Sequence, residues 1–230
     1  MAAKIIEEPT LSERVHVFRD RFQAGKLLAE KLRGYYRKEG VIVLAIPAGG
    51  VPVGNVIAKE LAVPMDVVIV RKARIPWNTE AGFGAVSWDG EIVLNELLVE
   101  QLGLTKEELE ESISEAKRNI SERLKKFRGE KPLPQLMDKV IILVDDGLAS
   151  GFTMLAAVRS VRKRQPKEII VAVPTASLGA VELLVSEVDM IVCLNMRSGL
   201  SFAVADAYMN WYDLTDEEVL KILSKDVSKS

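Results

Sequence analysis

Five short apolar runs punctuate the chain: V-I-V-L-A-I at 41–46, M-D-V-V-I-V at 65–70, K-V-I-I-L-V at 139–144, E-I-I-V-A-V at 168–173 and D-M-I-V-C-L at 189–194. Runs this short and this continuously apolar read as strands buried on both faces, because a half-exposed strand alternates apolar with polar residues. Most are separated by helix-like stretches, the first of them V-G-N-V-I-A-K-E-L-A after the P-A-G-G turn. This strand–turn–helix grammar predicts an α/β fold: a doubly wound, mostly parallel five-stranded sheet covered by helices on both sides.

The spacing has one exception. Residues 71–138 hold a polar, glycine-bearing loop, two short strand candidates at 85–88 and 91–94 around a W-D-G turn, and a charged helix over Thr105–Phe127. On that helix Leu109, Ile113, Ala116, Ile120 and Leu124 share one stripe, which leaves the Glu and Lys residues as a solvated face. A long excursion from a compact sheet usually carries function. Ahead of the first run, Thr10 or Ser12 can cap an amphipathic helix through Val15, Phe18, Phe22, Leu27, Leu28 and Leu32 that ends near Gly40 and carries His16. The 230 residues therefore read as a single domain over 1–230 with its core over about 40–195, closed by a polar tail S-K-D-V-S-K-S.

Composition narrows the partners. Basic and acidic residues nearly balance, 31 against 33, so no global field draws in nucleic acid or anionic lipid, and any anion site must be local. One cysteine, Cys193, excludes an internal disulfide, and one histidine, His16, argues against a Cys/His zinc site, so a metal here would take oxygen ligands. The first residues, M-A-A-K-I-I-E-E-P-T, contain no apolar leader core, and no apolar run is long enough to span a bilayer. A cytoplasmic protein without membrane contact is the expectation.

The most chemically specific segment is I-I-L-V-D-D-G-L-A-S-G-F-T at 141–153. A strand, an acidic pair, a turn of small residues and a helix start near Phe152 together make a phosphate cradle, in which backbone N–H groups of 147–152 and the helix dipole face an anion. Ser150 and Thr153 add hydroxyl donors. Two adjacent carboxylates repel each other and a phosphate unless sugar hydroxyls or hydrated Mg²⁺ satisfy them. A ribose 5-phosphate fits that division, with hydroxyls on Asp145 and Asp146 and phosphate on the loop. The Gly-Lys-Ser/Thr of a nucleotide-binding P-loop and the G-x-G-x-x-G of a dinucleotide fold are both missing.

This string resembles the phosphoribosyl-diphosphate (PRPP) signature of type I phosphoribosyltransferases, with Ser150 where threonine is usual. F-R-D-R-F-Q-A-G at 18–25, P-A-G-G-V-P-V-G at 47–54, R-K-A-R-I-P-W-N-T-E-A-G-F-G-A at 71–85 and F-A-V-A-D-A-Y at 202–208 resemble a branch of the same family, so the likeness covers nearly the full chain. It implies transfer of ribose 5-phosphate from PRPP to a nucleobase or similar nitrogen acceptor, with Mg²⁺ as cofactor and a homodimer as the usual assembly. Asp145 and Asp146 would hold the ribose hydroxyls and reach the metal through water or PRPP. Ala149, Ser150, Gly151 and Thr153 would hold the 5-phosphate, and Gly147 and Leu148 would belong to the same PRPP-binding loop. Ala48, Gly49 and Gly50 match the turn that meets pyrophosphate, where a non-proline cis peptide is common, and Arg71 and Lys72 match the basic pair after the second strand. Lys72, with the two aspartates, is the catalytic expectation. A flexible flap over about 72–92 and a small hood from the N-terminal helix and about 196–215 complete the pattern.

One position departs from it. Related sequences often read P-R-G-G, whereas Ala48 stands in the arginine's place and removes a charge that would face pyrophosphate. Two alternatives to transfer stand beside it: a PRPP- or nucleotide-sensing protein without turnover, to which Ala48 lends weight, and a phosphosugar hydrolase using the same cradle. Trp77, Trp88, Trp211 and Tyr212 are the candidates for a base-stacking ring, and Glu80 for an acceptor contact or a turn cap.

Overall fold

Backbone structure follows the apolar runs closely in the centre of the chain and less closely at its ends. The structure is a computed structural model that describes residues 2–199 and 201–227. The chain opens with β1 (Lys4–Ile6), α1 (Arg21–Lys31), β2 (Val41–Ala45), α2 (Gly50–Leu61) and β3 (Met65–Val67). An excursion follows through β4 (Val70–Ile75), β5 (Asn78–Ser87), β6 (Ile92–Leu94), α3 (Glu96–Leu102) and α4 (Lys106–Arg128). The chain then returns through β7 (Val140–Val144), α5 (Phe152–Arg162), β8 (Glu168–Ser177), α6 (Leu178–Leu184), β9 (Met190–Arg197) and α7 (Asp216–Val227).

Six of these strands form one parallel sheet in the order β1-β9-β8-β7-β2-β3. Its middle strands are buried on both faces. Ile42, Leu44, Ile141 and Leu143 pack with α5 and α6, while Val41, Val43, Val140 and Ile142 pack with α1 and α2. This two-sided burial is why the runs carry no polar alternation. From β2 the chain steps outward to β3, and from β7 it steps the other way to β8 and β9. The direction of winding therefore reverses between neighbours β2 and β7, which leaves a crevice at their carboxyl ends.

Four expectations are corrected. The sheet has six strands rather than five, because the three-residue β1 adds to the edge of β9 with Lys4 opposite Met190. The run 65–70 is divided: Val67 ends β3, and Val70 begins a second, antiparallel sheet of β4, β5 and β6. The stretch expected as a polar loop with short strands at 85–88 and 91–94 is thus a ten-residue β5 paired along β4. Ala73, Ile75 and Phe83 bury beside Leu98, Leu109 and Ile113 of α3 and α4, so this sheet has its own small core. Its root is tied to α5, where Ser160 Oγ donates to Asp89 at 2.6 Å and Lys163 pairs with Glu91 at 2.6 Å.

The N-terminal helix is the third correction. It runs from Arg21 to Lys31 with Asp20 as its cap, accepting from the Gln23 N–H, instead of running from Thr10 or Ser12 to Gly40. His16 lies outside it at φ 53° and donates its N–H to the Asp206 carbonyl. Tertiary pairing overrides helical periodicity here: Phe18 N–H donates to Ala207 O and Phe18 O accepts from Met209 N–H, which holds residues near 18 extended beside Tyr208. Lastly, the polar tail begins inside α7, whose Val219 is fully buried against α4 and the second sheet, while 228–230 lie outside the described residues. By contrast, the charged helix α4 starts where its sequence says, with Thr105 and Glu108 forming a reciprocal capping box.

Candidate active site

The crevice between β2 and β7 opens into a cleft of about 450 Å³. Its floor is the turn Ile46–Gly49 and the loop Asp145–Gly151, one wall is Arg71, Lys72 and Arg74 of β4, and the other is Arg21, Val204, Trp211, Asp213 and Leu214. Three sequence-distant segments, one singled out by its chemistry and two by the family resemblance, thus meet in one cavity.

The loop after β7 is pinned at its centre. Leu148 N–H donates to Thr175 O at 3.0 Å, Leu148 O accepts from Ser177 N–H at 2.9 Å, and Ser177 Oγ donates to Ala149 O at 2.6 Å. The Leu148 amide is therefore engaged with β8, and its buried side chain makes it an anchor rather than a phosphate donor. Beyond the pin, Ala149 and Ser150 are exposed to the cleft, and Thr153 stands in the first turn of α5. Gly151 sits at φ 81° as the residue before α5, a left-handed conformation that glycine adopts without penalty. Among the described residues no backbone acceptor takes up the N–H groups of 149–153, so they are left to face an anion together with the positive end of α5. Gly147 lines the cleft, where a Cβ would run into Val204 and Thr175.

The turn after β2 contains a cis Pro47–Ala48 peptide. Ala48 and Gly49 reach the cleft, whereas Gly50 is the first residue of α2 and packs beneath it against the Val144 carbonyl and Asp145 Cα.

Asp145 and Asp146 form a coupled pair. Asp145 Oδ1 accepts the Asp146 N–H at 2.8 Å, and Asp146 Oδ2 accepts from Arg21 Nε at 2.8 Å. Burial first, then the negative charge of Asp146, raises Asp145 well above the usual carboxylate range. Burial also raises Asp146, although Arg21 pulls it the other way. Tyr208, itself pushed up by burial and then by Asp146, donates its hydroxyl to the Asp146 carbonyl at 2.6 Å. A buried acid pair with only one cationic partner suits a ligand that brings hydroxyl donors or a cation. On the opposite wall, burial followed by repulsion from Arg123 and Arg74 lowers Arg71 to about 10, so it stays cationic at neutral pH while destabilised by its neighbours. An anion between β4 and the loop would relieve the crowded positive charge around Arg71.

The sequence contains Arg21 within F-R-D-R, where it had no assigned role. The available signal was a cation in the first helical turn directly after the Asp20 cap, where the helix dipole disfavours positive charge. Of the four candidate stacking residues, Trp211 lines the cleft, with the Arg21 guanidinium 4.0 Å from its ring centre. Trp77 is exposed at the β4–β5 turn, Trp88 faces a separate depression beside Leu133 and Met137, and Tyr212 is half exposed. The side chain of Glu80 lies outside the described residues. Cys193 is fully buried in β9, and burial pushes its thiol up to about 12.

A family model described as the phosphoribosyl transferase domain matches residues 18–195, from Phe18 ahead of α1 into β9. The chain belongs to the phosphoribosyl transferase family. Two Mycobacterium tuberculosis proteins, each named "Putative phosphoribosyl transferase", are 34% identical to it over 209 residues, which is 91% of this chain and 47% of theirs. The chain thus spans about half the length of those curated relatives. The crystal structure of TT1426 from Thermus thermophilus is 36% identical and superposes with a TM-score of 0.73 over 90% of this chain and 98% of that one. Among the described residues of this phosphoribosyl transferase domain no helix is long and apolar enough to cross a membrane.

Proposed function

We propose that the chain transfers ribose 5-phosphate from PRPP to a nucleobase or similar nitrogen acceptor and releases pyrophosphate. The observation that carries this reading is the division of one cleft into three chemistries. Free N–H groups and hydroxyls of Ala149–Thr153 suit the 5-phosphate, the electron-rich pair Asp145 and Asp146 suits the ribose hydroxyls, and Arg71, Lys72 and the turn at Ala48–Gly49 suit pyrophosphate. Trp211 offers a flat ring where an acceptor base would lie.

The donor set fits a metal carried by PRPP rather than one caged by the chain. Among the described residues no three His, Cys, Asp or Glu side chains gather, and one of the paired carboxylates Asp145 and Asp146 is held by Arg21. Mg²⁺ on the pyrophosphate would neutralise its charge and help it leave, with Asp145 and Asp146 reaching the ion through water or the ribose. The protein's own residues orient and screen. The loop fixes the phosphate end, Asp145 and Asp146 fix the ring near the anomeric carbon, and Lys72 and Arg71 meet charge that grows on the leaving oxygens. No covalent nucleophile is needed, and the one cysteine, Cys193, is sealed in the sheet.

Ala48 favours one second reading, a sensor that binds PRPP without turnover, because the pyrophosphate side lacks a cation that related sequences carry. Pyrophosphate release from PRPP and Mg²⁺ across a panel of bases separates the possibilities. Release only with an acceptor supports transfer, release without one supports hydrolysis, and binding without release supports sensing.

A further inference from the structure

Arg21 is 6% exposed and joins the floor of the cleft at Asp146 to the wall that carries Trp211. Its Nε donates to Asp146 Oδ2 at 2.8 Å, its Nη1 donates to the Tyr212 carbonyl at 2.9 Å, and its guanidinium lies 4.0 Å from the Trp211 ring centre. Tyr208 closes the circuit, with its ring 5.3 Å from Trp211 and its hydroxyl on the Asp146 backbone. A buried cation at the start of a helix is unfavourable by itself, so these partners, not α1, fix its position. The planar fork of arginine serves a carboxylate, a carbonyl and a ring face at once, which a lysine ammonium cannot do.

From this geometry we infer that Arg21 is a positioning residue that couples the acid holding the sugar, on the cleft floor, to the aromatic segment 211–212 on the wall beside it. The inference rests on the PRPP reading of the cleft. An occupant that orders Trp211 fixes the guanidinium and thereby Asp146, and PRPP on Asp146 prepares Trp211 in return, since coupling between two sites is reciprocal. Segment 211–212 is then the part of the chain that makes sugar binding depend on what lies beside the ring.

The test is a double-mutant cycle on the affinity for PRPP with Mg²⁺, measured by calorimetry on the full chain as wild type, Arg21→Met, Trp211→Leu and the double variant, with a thermal melt of each. Trp211→Leu should weaken PRPP about fivefold in the wild-type background, at the lower end of inter-site coupling, and should have no effect once Arg21 is Met. Arg21→Lys, which retains the buried charge, replaces Arg21→Met in the cycle if the latter fails to melt cooperatively, and the same loss of the Trp211 effect is expected. Effects of the two substitutions that multiply overturn the inference and leave the PRPP reading intact. An arginine that only supports the fold gives that multiplicative result. A wild-type protein that does not bind PRPP at all overturns the reading and the inference together.

Discussion

The backbone of Gly49 rests directly against the carboxylate of Asp146, so close that a Cβ at position 49 would fall inside it. The turn after β2 and the acids after β7 are therefore in direct contact at the reversal of the sheet. This is the structural basis for treating Ala48–Gly49 and Asp145–Asp146 as adjacent parts of a single site.

Gly49→Ala follows from that contact. The added methyl must displace Asp146 from Arg21, and overpacking of this kind costs about 1–3 kcal/mol. A drop in melting temperature accompanied by at least a tenfold loss of PRPP affinity is expected. A variant that melts and binds like wild type would show that the two loops are not in that contact.

Asp145 gives the pH dependence. Burial and then Asp146 raise its folded-state pKa, whereas the unfolded chain titrates it at about 3.9. Between those values the folded state binds the extra proton, so this group stabilises the protein at acid pH and loses that contribution as pH rises through the raised value. Asp145→Asn removes the loss. Scanning calorimetry of the ligand-free protein should show it melting about 2–4 °C above wild type at pH 7, the shift that about 1 kcal/mol produces in a domain of this size, with the gain vanishing toward pH 4. Asp146→Asn should go the other way, because it leaves the buried Arg21 without its carboxylate. Equal behaviour of the two variants would contradict the assignment of Arg21 to Asp146.

The contrast between these neighbours illustrates what the sequence could and could not tell. Four of the five apolar runs, the helix start at Phe152 and the extent of α4 were legible because each is a local signal: two-sided burial, a small-residue turn, an apolar stripe at three- and four-residue spacing. The acidic pair was legible as chemistry. What escaped was set by partners far along the chain. β1 is too short to announce itself and exists by pairing with β9. Residues near Phe18 look helical but are held extended by Ala207 and Met209, and Arg21 acquires its role from Asp146, 125 residues away. The second sheet was hidden because β4 carries Arg71, Lys72 and Arg74, a polar pattern dictated by the cleft rather than by burial.

Asp216 fastens α7 to α4 through Arg123 and Lys126. Although burial opposes it, hydrogen bonding and attraction from these cations lower its pKa, so its contribution is present at neutral pH and lost as pH falls through that lowered value. Asp216→Asn should cost about 0.5–1 kcal/mol, the scale of partly exposed pairs, and should raise hydrogen exchange selectively in 216–224. Unchanged protection in α7 would show that its apolar face alone holds it.

Ala48→Arg should restore a cation to the pyrophosphate side of the cleft. An affinity gain of about tenfold for PRPP, ~1.4 kcal/mol, is expected by calorimetry, with little change for ribose 5-phosphate, which has no pyrophosphate. Equal gains for both ligands would place position 48 at the wrong end of the site.

The most direct test is titration of PRPP with Mg²⁺ into wild type and Asp145→Asn, since that variant is expected to fold at least as firmly as its parent. Saturable binding by the wild type, weakened at least tenfold by the substitution, is the outcome that the acid-and-loop site requires. Unchanged affinity in a variant that melts at or above the wild-type temperature would contradict it.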